Sequence, residues 1–161
     1  MRTPASNWTP IGDALIWNDT FVGVQEFDSG SCKCKRWLIQ VSTAEALSKL
    51  NPRVCDCSYC MAHPAAIISD PGMRIRLMGD ASNLVVNKNG DELASFYHCA
   101  HCGDMLSVGC VIHGQLRGAV NSLLLDQQEL LGASVPIQPR LLSVDEKLER
   151  WSKLWGSLEG V

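Results

Sequence analysis

Eight cysteines carry the clearest chemical signal in this sequence, and seven of them fall into three clusters. In chain order the clusters are Cys32-x-Cys34, Cys55-x-Cys57-x-x-Cys60 and Cys99-x-x-Cys102. Cysteines that are one or two residues apart can direct their thiolates at the same ion, and thiolates select zinc over magnesium or calcium. The sequence therefore predicts metal binding through cysteine sulfur, with zinc as the expected ion.

The seven clustered cysteines divide into a set of four and a set of three. A structural zinc site is closed by four protein ligands, whereas a catalytic site has three and leaves one position for water or substrate. We assign the closed site to Cys32, Cys34, Cys99 and Cys102. This site would join two distant parts of the chain and stabilise the fold. The open, catalytic zinc site, built from one loop between Pro52 and Pro64, is assigned to Cys55, Cys57 and Cys60.

Three alternatives for these cysteines stay open. Disulfides could form, although Cys-x-Cys pairs are too cramped to bridge each other easily. A histidine could close the three-cysteine site and make both zinc sites structural, with His63 nearest in sequence and His98 or His101 as further candidates. An iron–sulfur cluster lacks the spacing that is typical of ferredoxins. Cys110 stands apart in an apolar stretch, where we expect a small buried residue.

Composition narrows the class of protein. The chain has 161 residues, of which 46% are hydrophobic and 19% charged, as in one ordinary globular domain. A net charge of −3 without a basic patch predicts no nucleic-acid partner. With no apolar stretch of ~18 residues and no secretory signal, we expect no membrane association and a cytoplasmic protein with reduced cysteines. Motifs of serine hydrolases, nucleotide enzymes and metalloproteases are absent from the sequence.

Short alternating runs predict a mainly β fold. Residues 1–28 read as an extension of the same domain, with strands at Ala14–Trp17 and Phe21–Val24. A zinc-binding domain is expected over residues 29–135. Its predicted strands cover residues 37–41, 74–77, 84–86, 93–98, 108–112 and 116–125. Hairpin turns are predicted at Asn89-Gly90 and His113-Gly114, and a short helix capped by Ser42 and Glu45 is predicted to end before Asn51.

The last part of the chain, residues 136–161, is expected to be a linker and an amphipathic helix. Pro136 to Pro139 form the predicted linker, and Ser143 with Glu146 forms a capping box. The apolar residues that share one face of the predicted helix are Val144, Leu148, Trp151, Trp155 and Leu158. We expect this face to pack on the protein's own sheet, and a homodimer contact through the two tryptophans is the alternative.

Three segments of the sequence resemble the glutathione-dependent formaldehyde-activating enzymes, whose domain also occurs in centromere protein V. The segments are Gly30–Cys34, Cys55–Cys60 and Phe96–Gly103. Residues 65–71 and 120–123 are also similar to bacterial members that are called aldehyde-activating proteins. The resemblance covers residues 29–125, which is most of the chain, and all three cysteine clusters follow in the family order.

The resemblance implies a fold and a reaction. The fold would be a zinc-stabilised all-β tent similar to Mss4-like proteins, with two zinc ions held by the same four and three cysteines. Zinc could occupy the three-cysteine site in only a fraction of the molecules. The reaction would join a thiol, glutathione or a similar one, to formaldehyde or another aldehyde, as a carbon–sulfur lyase run in reverse. The product with glutathione would be S-(hydroxymethyl)glutathione.

The sequence departs from the family pattern at three places, one of which is Pro64-Ala65, where a further family glycine is replaced. Lys35 replaces the glycine that commonly follows the second cysteine, and Met61-Ala62 replaces a basic residue after the three-cysteine cluster. The missing basic residue predicts that the thiol partner can differ from glutathione. It also motivates an alternative function, a zinc-stabilised interaction module without catalysis.

Overall fold

The structure is a computed structural model that describes residues 26–88 and 92–161. The predicted strands at Ala14–Trp17 and Phe21–Val24 lie outside the described residues, as does the predicted Asn89-Gly90 turn. The described part is mainly β, which confirms the mainly β character predicted from the sequence. Within it, no helix combines the length and the apolar character needed to span a membrane.

Eleven strands and two α-helices make up the regular structure of the described residues. The strands are β1 (Glu26–Ser31), β2 (Leu38–Thr43), β3 (Arg53–Cys55), β4 (Ile67–Ile68), β5 (Arg74–Met78), β6 (Leu84–Lys88), β7 (Ser95–Cys99), β8 (Met105–Ile112), β9 (Gln115–Asn121), β10 (Val135–Ile137) and β11 (Gly156–Glu159). The helices are α1 (Ser58–Ala62) and α2 (Val144–Leu154). Short 3-10 turns cover Leu47–Lys49, Ala81–Asn83, Ser122–Leu124, Gln128–Leu130 and Pro139–Leu141.

The strands form one sheet whose main path runs β1-β2-β5-β11-β9-β4-β3-β10. The β6-β7-β8 meander joins this path through β8, which pairs with β9. Most neighbours are antiparallel, and the parallel pairs are β5 with β11 and β3 with β10. The β8–β9 turn has positive φ at both His113 and Gly114, as tight hairpin turns require, so this hairpin prediction is confirmed.

Alternation along the strands separates the core from the surface. Trp37, Ile39 and Val41 are buried while Leu38 is exposed, and Ile75 and Leu77 of β5 are buried beside them. These residues pack in a large cluster that also contains Cys32 and Cys99. The predicted alternation in β2 and β5 is therefore confirmed.

A second apolar cluster lies under α2. It includes Val108 and Cys110 of β8, which confirms Cys110 as a buried strand residue, together with Trp155. Leu148, Trp151 and Leu154 pack against this cluster from the helix. The indole rings of Trp151 and Trp155 are stacked with centroids 4.4 Å apart. The predicted packing of the helix on the protein's own sheet is confirmed.

Two predictions for the C-terminal part are wrong. Residues 135–137, including Pro136, are not simply linker, because they form β10, which pairs with β3 at the end of the sheet path. An edge strand tolerates proline because no neighbour needs its N–H. The helix ends at Leu154 rather than continuing to Leu158, and β11 follows at once between β5 and β9.

Long-range backbone pairing explains why the chain leaves the helix there. A Cβ on Gly156 would lie 2.3 Å from the carbonyl oxygen of Met73, so only glycine permits this approach to the residue before β5. Ser157 donates its backbone N–H to that same Met73 oxygen. These sheet contacts outweigh the helical spacing of the apolar residues.

Two smaller boundaries also differ from prediction. Ser42 lies within β2 and caps no helix, and the predicted helix is only the 3-10 turn Leu47–Lys49, which does end before Asn51. The last predicted strand of the β8–β9 hairpin stops at Asn121 instead of Leu125.

Replacing Ser143 with alanine should lower the free energy of unfolding by ~1 kcal/mol. The Ser143 hydroxyl accepts the Glu146 N–H at 3.1 Å and Glu146 accepts the Ser143 N–H at 2.8 Å, so the capping box is complete. Urea unfolding would measure the loss. Ser48→Ala, at an exposed serine of another short turn, is the control, and equal stabilities for the two variants would contradict the prediction.

Candidate metal centre

The four cysteines predicted to form a closed site lie together. The Sγ atoms of Cys32, Cys34, Cys99 and Cys102 all lie within 4.8 Å of one another. Cys34 Sγ is 3.6 Å from Cys32 Sγ and 3.5 Å from Cys99 Sγ. Four sulfurs around one tetrahedral ion with bonds of ~2.3 Å would be ~3.8 Å apart. The cluster could therefore hold a metal ion.

Two tight turns present these sulfurs. In the first, the Cys32 carbonyl accepts the Lys35 N–H at 3.0 Å, and Lys35 has a φ of 64°. In the second, the Cys99 carbonyl accepts the Gly103 N–H at 2.9 Å, and Gly103 has a φ of 81°. A left-handed residue reverses the chain in both turns, which favours glycine at Gly103 but strains Lys35.

Polar contacts hold the two turns against each other. Asp104 accepts the backbone N–H of Lys33 at 2.8 Å, and its other carboxylate oxygen lies 3.5 Å from Lys33 Nζ. The Asn83 carbonyl accepts both the Trp37 indole N–H and the Ala100 backbone N–H. The sulfurs are thus brought together by bonds that do not themselves involve a metal.

The thiols of this cluster differ in acidity. Burial opposes ionisation of Cys34, but the Arg36 N–H and the neighbouring thiols outweigh it and lower the pKa of Cys34 to about 6. Burial raises the pKa of Cys32, and it raises the pKa of Cys102 to about 12. Cys34 is therefore ionised more readily than Cys32 or Cys102.

The three other clustered cysteines also converge, with all Sγ atoms within 4.8 Å of one another. The sequence analysis placed all three on one loop, and this prediction is wrong. Cys55 ends β3, Cys57 caps α1, and Cys60 lies inside that helix. The helix turn brings the Cys60 N–H to 3.4 Å from Cys57 Sγ, and the Cys57 N–H lies 3.5 Å from Cys55 Sγ. Such N–H contacts favour sulfur in its thiolate form.

Two thiols of this cluster, those of Cys55 and Cys60, also differ in pKa. The contact with the Cys60 thiol is the main cause that lowers the pKa of Cys55 to about 6, against the opposing effect of burial. The same contact and burial raise the pKa of Cys60.

The histidines do not complete the three-cysteine cluster. No other metal-ligating side chain of residues 26–88 and 92–161 joins its three sulfurs. His98 is buried, with Nε2 against the Tyr59 hydroxyl and Nδ1 3.2 Å from the Gly103 carbonyl. The His63 ring is tilted against Tyr59 and lies edge-on to His98, and His101 is exposed on the second turn of the other cluster.

The cysteines are free thiols rather than disulfides. The shortest sulfur separations of the four-cysteine cluster, 3.5 and 3.6 Å, far exceed the ~2.05 Å of a disulfide bond. The disulfide alternative is therefore not realised in this structure.

A cavity of about 320 Å³ opens beside the three-cysteine cluster, and all three cysteines line it. Its apolar walls come from the sheet, including Phe96 and Val108, and from α2. A second, more open hollow reaches Cys55 and Cys60 from another side and has no charged lining residue in the part of the chain that is described. The three-cysteine cluster is thus accessible to small molecules, unlike a closed metal site.

Asn121 fixes the segment that follows the three-cysteine cluster. Its buried side-chain amide accepts the Ala66 N–H at 3.1 Å and donates to the carbonyls of Met105 and Pro64. A single amide therefore connects the end of β9 to the start of β8 and to the chain after α1.

The cavity also exposes residues that the sequence analysis did not select. Arg53 lies two residues before Cys55 on β3, so both side chains share a strand face. Lys147, Arg150, Trp151 and Leu154 share the cavity face of α2 at helical spacing. The strand period could have indicated Arg53, but nothing local indicates that α2 lies opposite it.

Comparisons with known proteins assign no family. No family model matches the chain, and no curated protein does. A Rhodobacter sphaeroides protein, solved as a crystal structure by a structural genomics consortium, is similar at 24% identity and a TM-score of 0.47. The match covers 67% of this chain and 97% of that one.

Replacing Lys35 with glycine should raise the free energy of unfolding by ~1 kcal/mol, because the left-handed backbone at φ 64° carries a steric cost that glycine lacks. Thermal unfolding of the reduced protein would measure the gain. Lys33→Gly is the control in the same turn and should destabilise, since Lys33 pairs with Asp104. A Lys35→Gly variant that is no more stable than the parent would contradict the prediction.

In metal-free, reduced protein at pH 7, iodoacetamide should modify Cys55 faster than Cys60. The reactive species is the thiolate, and the two pKa values are shifted in opposite directions. Both side chains are half-buried, so exposure does not account for a difference. Mass spectrometry of peptides after short labelling times measures the order, and faster labelling of Cys60 would show that the acidities are assigned wrongly.

Proposed function

We propose that both cysteine clusters bind zinc. The four-cysteine cluster offers only sulfur ligands, spaced as a tetrahedral zinc site requires, and buried Cys32 and Cys99 leave little room for exchange. The three-cysteine cluster offers three sulfurs, with backbone N–H groups directed at two of them. The first site would be structural, and the second would keep one coordination position for a ligand.

We further propose that the three-cysteine site forms or breaks a thiol–aldehyde adduct, as a carbon–sulfur lyase does. The observation that carries this proposal is that the three sulfurs converge at the wall of a small-molecule cavity with no fourth protein ligand among the described residues. A purely structural site has no need of such a cavity. Free thiols in both clusters also fit a reducing, cytoplasmic setting.

The chemistry of the addition is balanced without a further reactant. A carbon–sulfur bond forms, the carbonyl π bond breaks, and the thiol proton ends on the former aldehyde oxygen. Zinc held by Cys55, Cys57 and Cys60 would stabilise a substrate thiolate rather than strongly activate a carbonyl, because three thiolates would give the centre a net negative charge. The cavity walls around Phe96 and Trp151 would exclude water and hold the two reactants together.

The resemblance to the glutathione-dependent formaldehyde-activating enzymes supports the same reaction, with S-(hydroxymethyl)glutathione as the reference product. The resemblance also implies that the observed β sheet has the Mss4-like tent fold of that family. Lys35 keeps the left-handed turn conformation that the family glycine would adopt, so this departure leaves the four-cysteine site intact. Met61 is 69% exposed and supplies no charge, so the thiol need not be glutathione.

Replacing Cys57 with serine should leave the protein folded, remove about one zinc ion per chain and abolish catalysed adduct formation. Elemental analysis gives the metal content, and exchange NMR with labelled formaldehyde and a thiol gives the rate of interconversion. Cys110→Ser is the matched control, because Cys110 belongs to neither cluster and should change neither measurement.

The outcomes separate catalysis from a binding role. Loss of zinc without any catalysed exchange in the parent protein would favour a zinc-stabilised interaction module. Full activity in the Cys57→Ser variant would overturn the proposed reaction site.

A further inference from the structure

The cavity beside the three-cysteine cluster carries several cationic side chains. Apart from the three cysteines, its ionisable lining residues are all cationic, namely Arg53, Lys147 and Arg150. No acidic side chain of the described residues lines it. The rest of the wall is largely apolar, so electrostatic interactions with a bound ligand are strengthened there.

Of the three cations, Arg53 has the surroundings that stabilise its positive charge least. It is half-buried on β3, and its guanidinium donates to the Ser69 hydroxyl, a neutral partner. No carboxylate in the described part of the chain contacts Arg53, so its desolvation is not offset by an ion pair.

Arg150 adds a second guanidinium from the opposite wall. The next cation on the same helix, Lys153, points elsewhere and pairs with Glu149 at 2.9 Å. Arg150 has no such partner among the described carboxylates, although it repels Arg53. Two like charges converging on one cavity cost free energy unless an anion lies between them.

The rest of the cavity wall indicates the size and the polarity of the uncharged part of the ligand. Phe96 from the sheet and the stacked rings of Trp151 and Trp155 present a broad aromatic surface. A volume of about 320 Å³ is at the small end of the range for ligand sites. A hydrophilic group placed against this aromatic part of the wall would lose its hydration without gaining a polar partner.

We propose that the substrate of the three-cysteine site is a small carboxylate with an apolar, aromatic-sized body, and that Arg53 and Arg150 bind the carboxylate while Phe96 and Trp151 enclose the body. This inference rests on the proposed function for the identity of the reacting group, a thiol or its aldehyde adduct. Arginine is suited to the task because its planar guanidinium binds carboxylate oxygens in pairs.

The test uses zinc-loaded full-length protein and three probes. These are 2-benzyl-3-sulfanylpropanoate, its neutral primary amide, and sulfur-free 3-phenylpropanoate. Isothermal titration calorimetry should show the thiol acid binding about tenfold more tightly than the amide. Arg150→Gln should weaken binding of both acids about tenfold and change the amide less than about twofold. Because Arg150 is exposed, this variant is expected to fold.

Lys153→Gln is the matched control, since it removes the same charge from the same helix outside the cavity. It should change the affinity of every probe less than about twofold. Arg53→Lys keeps the charge but not the paired hydrogen bonds, and it should fall between the parent and Arg150→Gln. Equal binding of acid and amide, absence of binding by any probe, or equal effects of Arg150→Gln and Lys153→Gln would overturn the inference.

The sulfur-free probe distinguishes this inference from the proposed function. If 3-phenylpropanoate binds in an Arg150-dependent manner but no thiol adduct is turned over, the carboxylate site stands and the reaction does not. If adducts are turned over with no preference for a carboxylate, the reaction stands and the carboxylate site is rejected.

Discussion

Four cysteine sulfurs from two distant turns meet at contact distance, and much of the architecture depends on that meeting. Cys34 and Cys99 are 65 residues apart in sequence and 3.5 Å apart at sulfur. Their turns end β1 and β7, so the contact joins the β1–β2 edge to the β6-β7-β8 meander. Thiolates at this spacing repel one another, and a bound cation reverses the sign of the interaction. Such a site adds its binding free energy to folding.

The three-cysteine site depends on a different balance. Its ligands come from the end of β3 and from one helical turn, so local geometry suffices to gather the sulfurs. What surrounds them is not local. Asn121 holds the following segment, while β10 and α2 bring the C-terminal part of the chain across the opening. One cluster is thus enclosed by the core, and the other faces a cavity that distant elements complete.

Short spacings made the candidate metal ligands predictable from sequence, because Cys-x-Cys and Cys-x-x-Cys fix the neighbours of each sulfur before any tertiary contact forms. Alternation likewise predicted β2 and β5, and the capping box predicted where α2 begins. The errors fall where distant backbone decides the outcome. Pro136 enters an edge strand and Leu158 leaves the helical pattern because β3, β5 and β9 offer hydrogen bonds that helical spacing cannot reveal. Arg150 became a site residue only once α2 was placed opposite Arg53.

The cationic side chains that line the cavity could let this chain use a thiol substrate other than glutathione at the same three-cysteine site. Met61 places an exposed apolar side chain directly after the three-cysteine cluster, so no charge for a substrate carboxylate comes from α1. Arg53 and Arg150 supply positive charge to the cavity from β3 and α2 instead. Residues 135–161, which provide β10, α2 and β11, therefore contribute part of the cavity lining as well as completing the sheet.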